Sequence, residues 1–164
     1  FKQKTAYEIL TCDWSSDVCS SDLIAVDLSP HACRATMQNL RRCNLSDRAM
    51  VMRGRWSEAL DAGRFDLIVS NPPYIPASDP HLLQGDVRFE PSSALVAGGD
   101  GLDDIRLIIA QAPTHLLSSG WLMLEHGYDQ AMAVRTLLFD GGFVDVASRK
   151  DFGGHERVSF GRLR

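Results

Sequence analysis

From residue 24 onward, short apolar runs alternate with stretches of helical periodicity, and this alternation constrains the possible folds most strongly. Strands that alternate with helices are typical of a parallel, doubly wound sheet covered by helices on both faces. The last two strands are joined by a short Gly153-Gly154 turn, so they should pair antiparallel. The predicted strands are 24–28, 49–52, 65–70, 121–125, 143–148 and 157–163, and the predicted helices are 30–42, 102–117 and 129–139.

The first helix has the clearest boundaries. Ser29 followed by Pro30 is a typical start, with serine as the N-cap and proline at the first helical position. Asn44 is a suitable residue just past the end, which places the last helical residue near Arg42. The side chains predicted to face the core are Ala32, Ala35, Met37 and Leu40.

Residues 1–23 fit neither element type. They have no usable apolar period, and Lys2–Ile9 and Asp13–Leu23 back-translate into the two constant parts of a common sequencing-library adapter. We therefore expect 1–23 to be a non-native, adapter-derived segment. On this interpretation the natural sequence begins near Ile24 and is truncated on its N-terminal side.

Composition excludes several classes of protein. The 164 residues are 45% apolar and 23% charged, with no run of about 18 apolar residues that could cross a membrane. The net charge of the chain is −4. Residues 1–23 hold two lysines and four acidic residues, so the net charge of 24–164 is −2. Because this part has no basic excess to neutralise phosphates, nucleic acid is not an expected partner. Cys33 and Cys43 lack the spacing of a zinc site or a disulfide framework, so we expect no metal and a cytoplasmic location.

The most informative segment is Asn71-Pro-Pro-Tyr74, directly after the third predicted strand. Ligands bind beyond the carboxyl ends of strands in such sheets, where Asp27 and Arg55-Trp56 are also predicted to lie. Two consecutive prolines have fixed φ angles and no N–H donors. The backbone is therefore rigid and only accepts hydrogen bonds, which suits a planar NH2 group. The alternative is a loop that merely ends a buried strand.

Several motifs together resemble one enzyme family. Asp66-Leu-Ile-Val-Ser-Asn-Pro-Pro-Tyr74 looks like the signature of S-adenosylmethionine-dependent methyltransferases that act on planar amino or amide nitrogen. Gln84–Pro91, Leu124-Glu-His-Gly127 and Asp151–Val158 narrow this to the release-factor glutamine N5-methyltransferases. The resemblance implies that 24–164 is the C-terminal part of a class I, Rossmann-like catalytic domain. It also implies S-adenosyl-L-methionine as cofactor and a peptide chain release factor as protein substrate.

The resemblance assigns the catalytic site to Asn71, Pro72, Pro73 and Tyr74. Asn71 and the Pro72 carbonyl would accept hydrogen bonds from the substrate amide. Tyr74 and Ile75 would wall the pocket, although ordinary loop packing would explain them as well. Glu90 would anchor the following loop or form a structural salt bridge.

For the cofactor, the resemblance implies contacts with Asp27, Trp56 and Asn71. Asp27 would bind the ribose hydroxyls, with a capping role as the alternative. Trp56 would lie against the adenine, with a role as a core anchor as the alternative. Arg55 departs from the family pattern, which usually has an acid there, and an arginine cannot accept from the adenine amino group.

The glycine-rich loop that the family places after its first strand is not found in this sequence. Gly98-Gly-Asp-Gly101 lies after the substrate motif and is predicted to be a helix-entry turn instead. We expect the chain as written to bind S-adenosylmethionine weakly or not at all. The alternatives are a ribosomal-protein glutamine methyltransferase, a DNA adenine-N6 methyltransferase, and a non-catalytic binding or scaffold remnant.

Overall fold

The computed structural model describes residues 23–60, 65–83 and 91–164. The chain divides into two compact units, with the boundary between Asp61 and Ala62. Residues 1–22 lie outside the described part, so the non-native origin of 1–23 stays a prediction. None of the helices in the described ranges is long and apolar enough to cross a membrane.

The first unit is built from two strands and one helix. Strands β1 (Leu23–Asp27) and β2 (Ala49–Arg53) pair in parallel, with Asp27 opposite Arg53. Helix α1 (Pro30–Arg42) connects them, and the Ser29 hydroxyl accepts from the N–H of Ala32 at 3.4 Å. The predicted start of this helix is therefore confirmed. A 3-10 turn, Trp56–Ala59, follows β2.

The predicted inner face of α1 is partly wrong. Leu40 is buried as predicted, but Met37 is 41% exposed, and the other buried side chains are Cys33 and Thr36. Residues 33, 36 and 40 follow the helical spacing that forms one face. A hydrophobicity pattern misses this face because two of its three members are small and weakly polar.

The second unit is a four-stranded sheet in the order β3-β4-β6-β5 with two helices. The strands are β3 (Phe65–Ser70), β4 (Leu116–Glu125), β5 (Phe143–Lys150) and β6 (Glu156–Leu163), and the helices are α2 (Asp103–His115) and α3 (Ala131–Asp140). β3 and β4 are parallel, whereas β6 runs antiparallel to both β4 and β5. The predicted parallel arrangement with an antiparallel C-terminal strand is confirmed.

The core of this unit lies where the helices cover the sheet. α2 packs against β4, and α3 packs against β5 and β6. The largest fully buried apolar side chains are Ile105, Leu116, Leu122, Leu124, Leu138 and Phe143. Burying one such side chain stabilises a fold by about 1.5–3 kcal/mol.

The largest difference from the predicted boundaries lies between α2 and β4, since the other elements shift by at most two residues. α2 ends at His115, two residues after Pro113, and β4 begins at Leu116, where helix was predicted. β3 was predicted as an almost wholly apolar strand, and its Leu67 is 48% and its Val69 is 55% exposed. Within the described ranges β3 is the edge strand of this four-stranded sheet and pairs with β4, and these two side chains share one face of it.

Candidate active site

The loop that follows β3 carries the predicted site residues Asn71, Pro72, Pro73 and Tyr74. Pro72 is fully buried. The Ile75 N–H donates to the Leu95 carbonyl at 2.9 Å, and the Ile75 carbonyl accepts from the Ala97 N–H at 3.1 Å. A second segment of chain therefore holds the loop at the end opposite β3.

Tyr74 is held through its ring and its hydroxyl. Arg157 on β6 donates from Nη2 to the Tyr74 hydroxyl at 2.8 Å, and its guanidinium lies 5.3 Å from the ring centroid. The Glu125 carboxylate hydrogen-bonds with the same hydroxyl and lies 3.5 Å from Arg157. Burial raises the pKa of the Tyr74 phenol, so it stays protonated at neutral pH. Tyr74 is therefore suited to form a wall of the site and not to act as a base.

The carbonyl of Tyr74 is held by a different group. Gln130 Nε2 donates to it at 3.0 Å and to the Asp100 carbonyl at 3.2 Å. Gly101 lies against the same carbonyl with φ +76°, and a Cβ built on it would be 2.3 Å from the Tyr74 oxygen. The position requires glycine for both its backbone angle and its space.

The turn that contains Gly101 leads into α2, which confirms the predicted helix-entry turn at 98–101. The Asp100 carboxylate accepts from the Leu102 N–H at 3.0 Å and pairs with Arg106. Hydrogen bonds from Arg106, and then from the Leu102 N–H, lower the pKa of Asp100 to about 2. The charged carboxylate thus fixes the turn against the first residues of the helix.

A buried polar network lies behind the loop after β4. His126 is fully buried, with Nδ1 2.8 Å from the Gly127 carbonyl and Nε2 2.8 Å from the Ser159 hydroxyl. The Ser159 and Ser148 hydroxyls are 2.7 Å apart, and Arg135 donates to Ser148 at 2.6 Å. Desolvation lowers the pKa of His126, which favours the neutral ring. Because a carbonyl only accepts, Nδ1 donates to Gly127, and Nε2 is left to accept from the Ser159 hydroxyl.

This buried histidine predicts a pH-dependent stability. Because its pKa is lower in the folded chain, the unfolded chain takes up the proton first as pH falls below the ordinary value of 6.5. The free energy of unfolding should therefore fall with falling pH, by up to about 1.4 kcal/mol per pH unit. Urea unfolding of the chain at several pH values between about 7.5 and 5.5 measures the slope of the free energy of unfolding against pH.

In His126→Asn the slope should be smaller, because the amide retains a donor for Gly127 but does not titrate. His31→Asn, at an exposed position of α1, is the control for losing an imidazole. An unchanged slope in His126→Asn would contradict this account of the network.

Asp27 and Trp56 belong to the first unit, at the carboxyl ends of its two strands. The Asp27 carboxylate accepts from the Ser29 N–H at 2.7 Å, a local bond of the kind that the capping alternative implies, while Ser29 itself caps the helix. The Gly54 N–H donates to the Asp27 carbonyl at 3.1 Å, so the loops after β1 and β2 lie side by side. Trp56 is half-buried with φ +50°, which is uncommon for a bulky residue, and Arg55 is exposed.

The structure places the predicted residues in two groups, one in each unit. Sequence reasoning missed Gln130 and the pairing of Arg157 with Tyr74. The sequence gives only a weak indication of these contacts: Glu125 ends a predicted strand, and Gln130 follows shortly after it, near the edge where ligands bind. The Gln84–Pro91 motif and Glu90 are a different case, since 84–90 lie outside the described residues. Within the described ranges, no three His, Cys, Asp or Glu residues are grouped so that they could hold a metal ion.

Comparison with known proteins finds no matching family model. A release factor glutamine methyltransferase from Pseudomonas aeruginosa is 59% identical over 138 residues, which are 84% of this chain and 50% of that protein. A protein of the same name from Xylella fastidiosa is 51% identical over 142 residues, 87% of this chain and 51% of the relative. The chain thus spans about half the length of the curated relatives it matches.

The fold is also found among solved structures. A methyltransferase from Pyrococcus furiosus aligns with a TM-score of 0.67 at 15% identity, over 96% of this chain and 69% of that one. At this identity the likeness shows the fold alone. It confirms the predicted α/β fold of the class I methyltransferases.

Proposed function

We infer that this chain belongs to the release factor glutamine methyltransferase family, and on that premise we propose the activity of the whole protein. It transfers a methyl group from S-adenosylmethionine to the side-chain amide nitrogen of a glutamine in a peptide chain release factor. The modified residue is the glutamine of a Gly-Gly-Gln loop, and the reaction takes place in the cytoplasm. The observation that carries the proposal is the rigid loop Asn71–Tyr74, which is held at both ends.

The loop suits an amide because of the chemistry that it offers. An amide nitrogen is a weak nucleophile, since its lone pair is delocalised into the carbonyl. The Asn71 side-chain oxygen and the Pro72 carbonyl accept the two N–H hydrogens, which concentrates electron density on nitrogen and orients it. This is catalysis by positioning and electrostatics. Pro73 keeps the backbone rigid, and Tyr74, protonated and held by Arg157, excludes water on one side.

The first unit offers groups that fit the cofactor. S-Adenosylmethionine supplies the methyl group from its sulfonium. Asp27 presents a carboxylate, which accepts hydrogen bonds from ribose hydroxyls, at the edge where β1 and β2 both end. Trp56 follows β2 at the same edge and offers a flat ring for adenine. Asn71 would serve the cofactor as well as the substrate.

The experiment that tests this proposal uses a chimaera, in which residues 24–164 replace the matched half of the Pseudomonas aeruginosa relative. Purified release factor and plasmid DNA compete for labelled methyl groups from S-adenosylmethionine. We expect label in the release factor and none in DNA, because 24–164 carries a net charge of −2, whereas duplex binding needs a basic face. Label in DNA adenine, with none in the release factor, would overturn the proposal.

A further inference from the structure

We propose that Gln130 is the positioning residue of the Asn71–Tyr74 loop. Its side-chain amide ties the loop after β3 to the turn before α2 and to the loop after β4. It thereby holds the Pro72 carbonyl where a substrate amide can use it. This inference rests on the proposed function, in which that carbonyl accepts a hydrogen bond from the substrate.

The first support is the set of hydrogen bonds that the Gln130 side chain makes. Nε2 donates to the carbonyls of Tyr74 and Asp100 at 3.0 and 3.2 Å, and Oε1 accepts from the Gly127 N–H at 2.8 Å. All three partners are backbone groups, and they belong to three separate loops. The reverse orientation of the amide would place its oxygen against two carbonyl oxygens. The hydrogen bonds therefore fix which atom of the Gln130 amide is the nitrogen and which is the oxygen.

The second support is that hydrogen bonds hold the backbone of Gln130 in place. The Gln130 N–H donates to the Gly127 carbonyl at 3.0 Å, and the Gln130 carbonyl accepts from the Val134 N–H at 3.0 Å, as α3 begins. The residue is 9% exposed. A buried side chain on a fixed backbone holds its partners in one geometry, which an exposed and mobile glutamine would not.

The third support is the space that two glycines leave for the amide. A Cβ on Gly101 would lie 2.8 Å from Gln130 Nε2, and a Cβ on Gly127 would lie 2.9 Å from Oε1. Real Cβ atoms do not approach this closely. The Gln130 amide therefore fills a slot that exists because both neighbours lack a side chain.

The proline ring of Pro73 stiffens the backbone between the Pro72 and Tyr74 carbonyls. Proline fixes φ at about −65°, so the φ bond of Pro73, which lies between these two carbonyls, cannot rotate to absorb a movement of Tyr74. A displaced Tyr74 carbonyl therefore has fewer ways to leave the Pro72 carbonyl in place. Arg157 holds the hydroxyl end of Tyr74, but that end is separated from the backbone by rotatable side-chain bonds.

The test compares Gln130→Glu and Gln130→Met with the parent chimaera, whose activity on the release factor is established first. Both substitutions keep the side-chain length. We expect kcat to fall by about tenfold to a hundredfold in Gln130→Met, with an unchanged KM for S-adenosylmethionine, because a small misplacement of a reacting group has this effect. Gln38→Glu and Gln38→Met, at an exposed position of α1, are the matched controls.

The pH profile of Gln130→Glu separates positioning from general stability. A protonated carboxyl can donate to one carbonyl and still accept from Gly127, whereas a carboxylate repels both carbonyls. The ratio of its kcat to that of the parent should rise as pH falls from about 8 to about 6, since burial raises a carboxyl pKa. The same ratio for Gln130→Met should stay flat.

Two results would overturn the inference while leaving the proposed function intact. One is a parental kcat in Gln130→Met. The other is a loss of activity that follows the folded fraction measured by thermal unfolding, with no pH-dependent recovery in Gln130→Glu. An inactive parent chimaera would instead contradict the proposed function.

Discussion

Replacing Asn71 by alanine in the chimaera should lower kcat by roughly 10²–10³ while leaving the affinity for S-adenosylmethionine largely intact. The substitution removes one of the two acceptors that align the substrate nitrogen, and cofactor affinity is largely kept because Asn71 faces the amide more than the cofactor in this account. The remaining one, the Pro72 carbonyl, is a backbone group on a loop that Leu95 and Ala97 hold from the other end. Single-turnover kinetics on the release factor measure the rate, and calorimetry measures cofactor binding.

Two further variants make this result specific. Asn39→Ala removes the same carboxamide from helix α1 and should retain the parental rate. Asp27→Ala should instead weaken the binding of S-adenosylmethionine before it affects the rate, because the Asp27 carboxylate is assigned to the ribose. A parental turnover number in Asn71→Ala would refute the role of that side chain.

Replacing Gly101 by alanine should damage both stability and activity. At φ +76° an alanine is strained by about 1–2 kcal/mol, and its Cβ would also lie 2.3 Å from the Tyr74 carbonyl oxygen. Either the turn or the Tyr74 peptide must move. We expect Tm to fall by about 5 °C or more and kcat to fall by about tenfold or more.

Gly99→Ala is the matched control for this variant, since it lies in the same turn. A Cβ on Gly99 would meet nothing within 4 Å, and its φ is outside the left-handed region. Gly99→Ala should therefore keep the parental Tm and kcat. If Gly101→Ala behaved in the same way, the close approach of this turn to Tyr74 would not matter for the site.

Local sequence signals predicted the parts of this molecule that local physics determines. Ser29 and Pro30 predicted the start of α1, because a serine cap and a proline with fixed φ both favour that position. The position of Asn71–Tyr74 directly after β3 followed from an apolar run that ends in a turn motif. The antiparallel pairing of β5 and β6 followed from a connection too short for a crossover.

The rest depends on contacts between distant parts of the chain. Gln130 and Tyr74 are 56 positions apart, and Arg157 and Tyr74 are 83 apart, so no periodicity could pair them. The exposure of Leu67 could not be read from the sequence for a related reason, since an apolar run does not reveal whether its strand lies inside a sheet or at its edge. Thr36 was missed because packing, not polarity, decides its burial.

The central claim is that the Asn71–Tyr74 loop presents a glutamine amide for methylation. Mass spectrometry of release factor treated with the chimaera and S-adenosylmethionine tests it most directly, with the Asn71→Ala chimaera as control. The account predicts one added methyl group on the side-chain nitrogen of the Gly-Gly-Gln glutamine, and a strongly reduced amount with the control. A methyl group on another residue, or equal modification by both proteins, would contradict it.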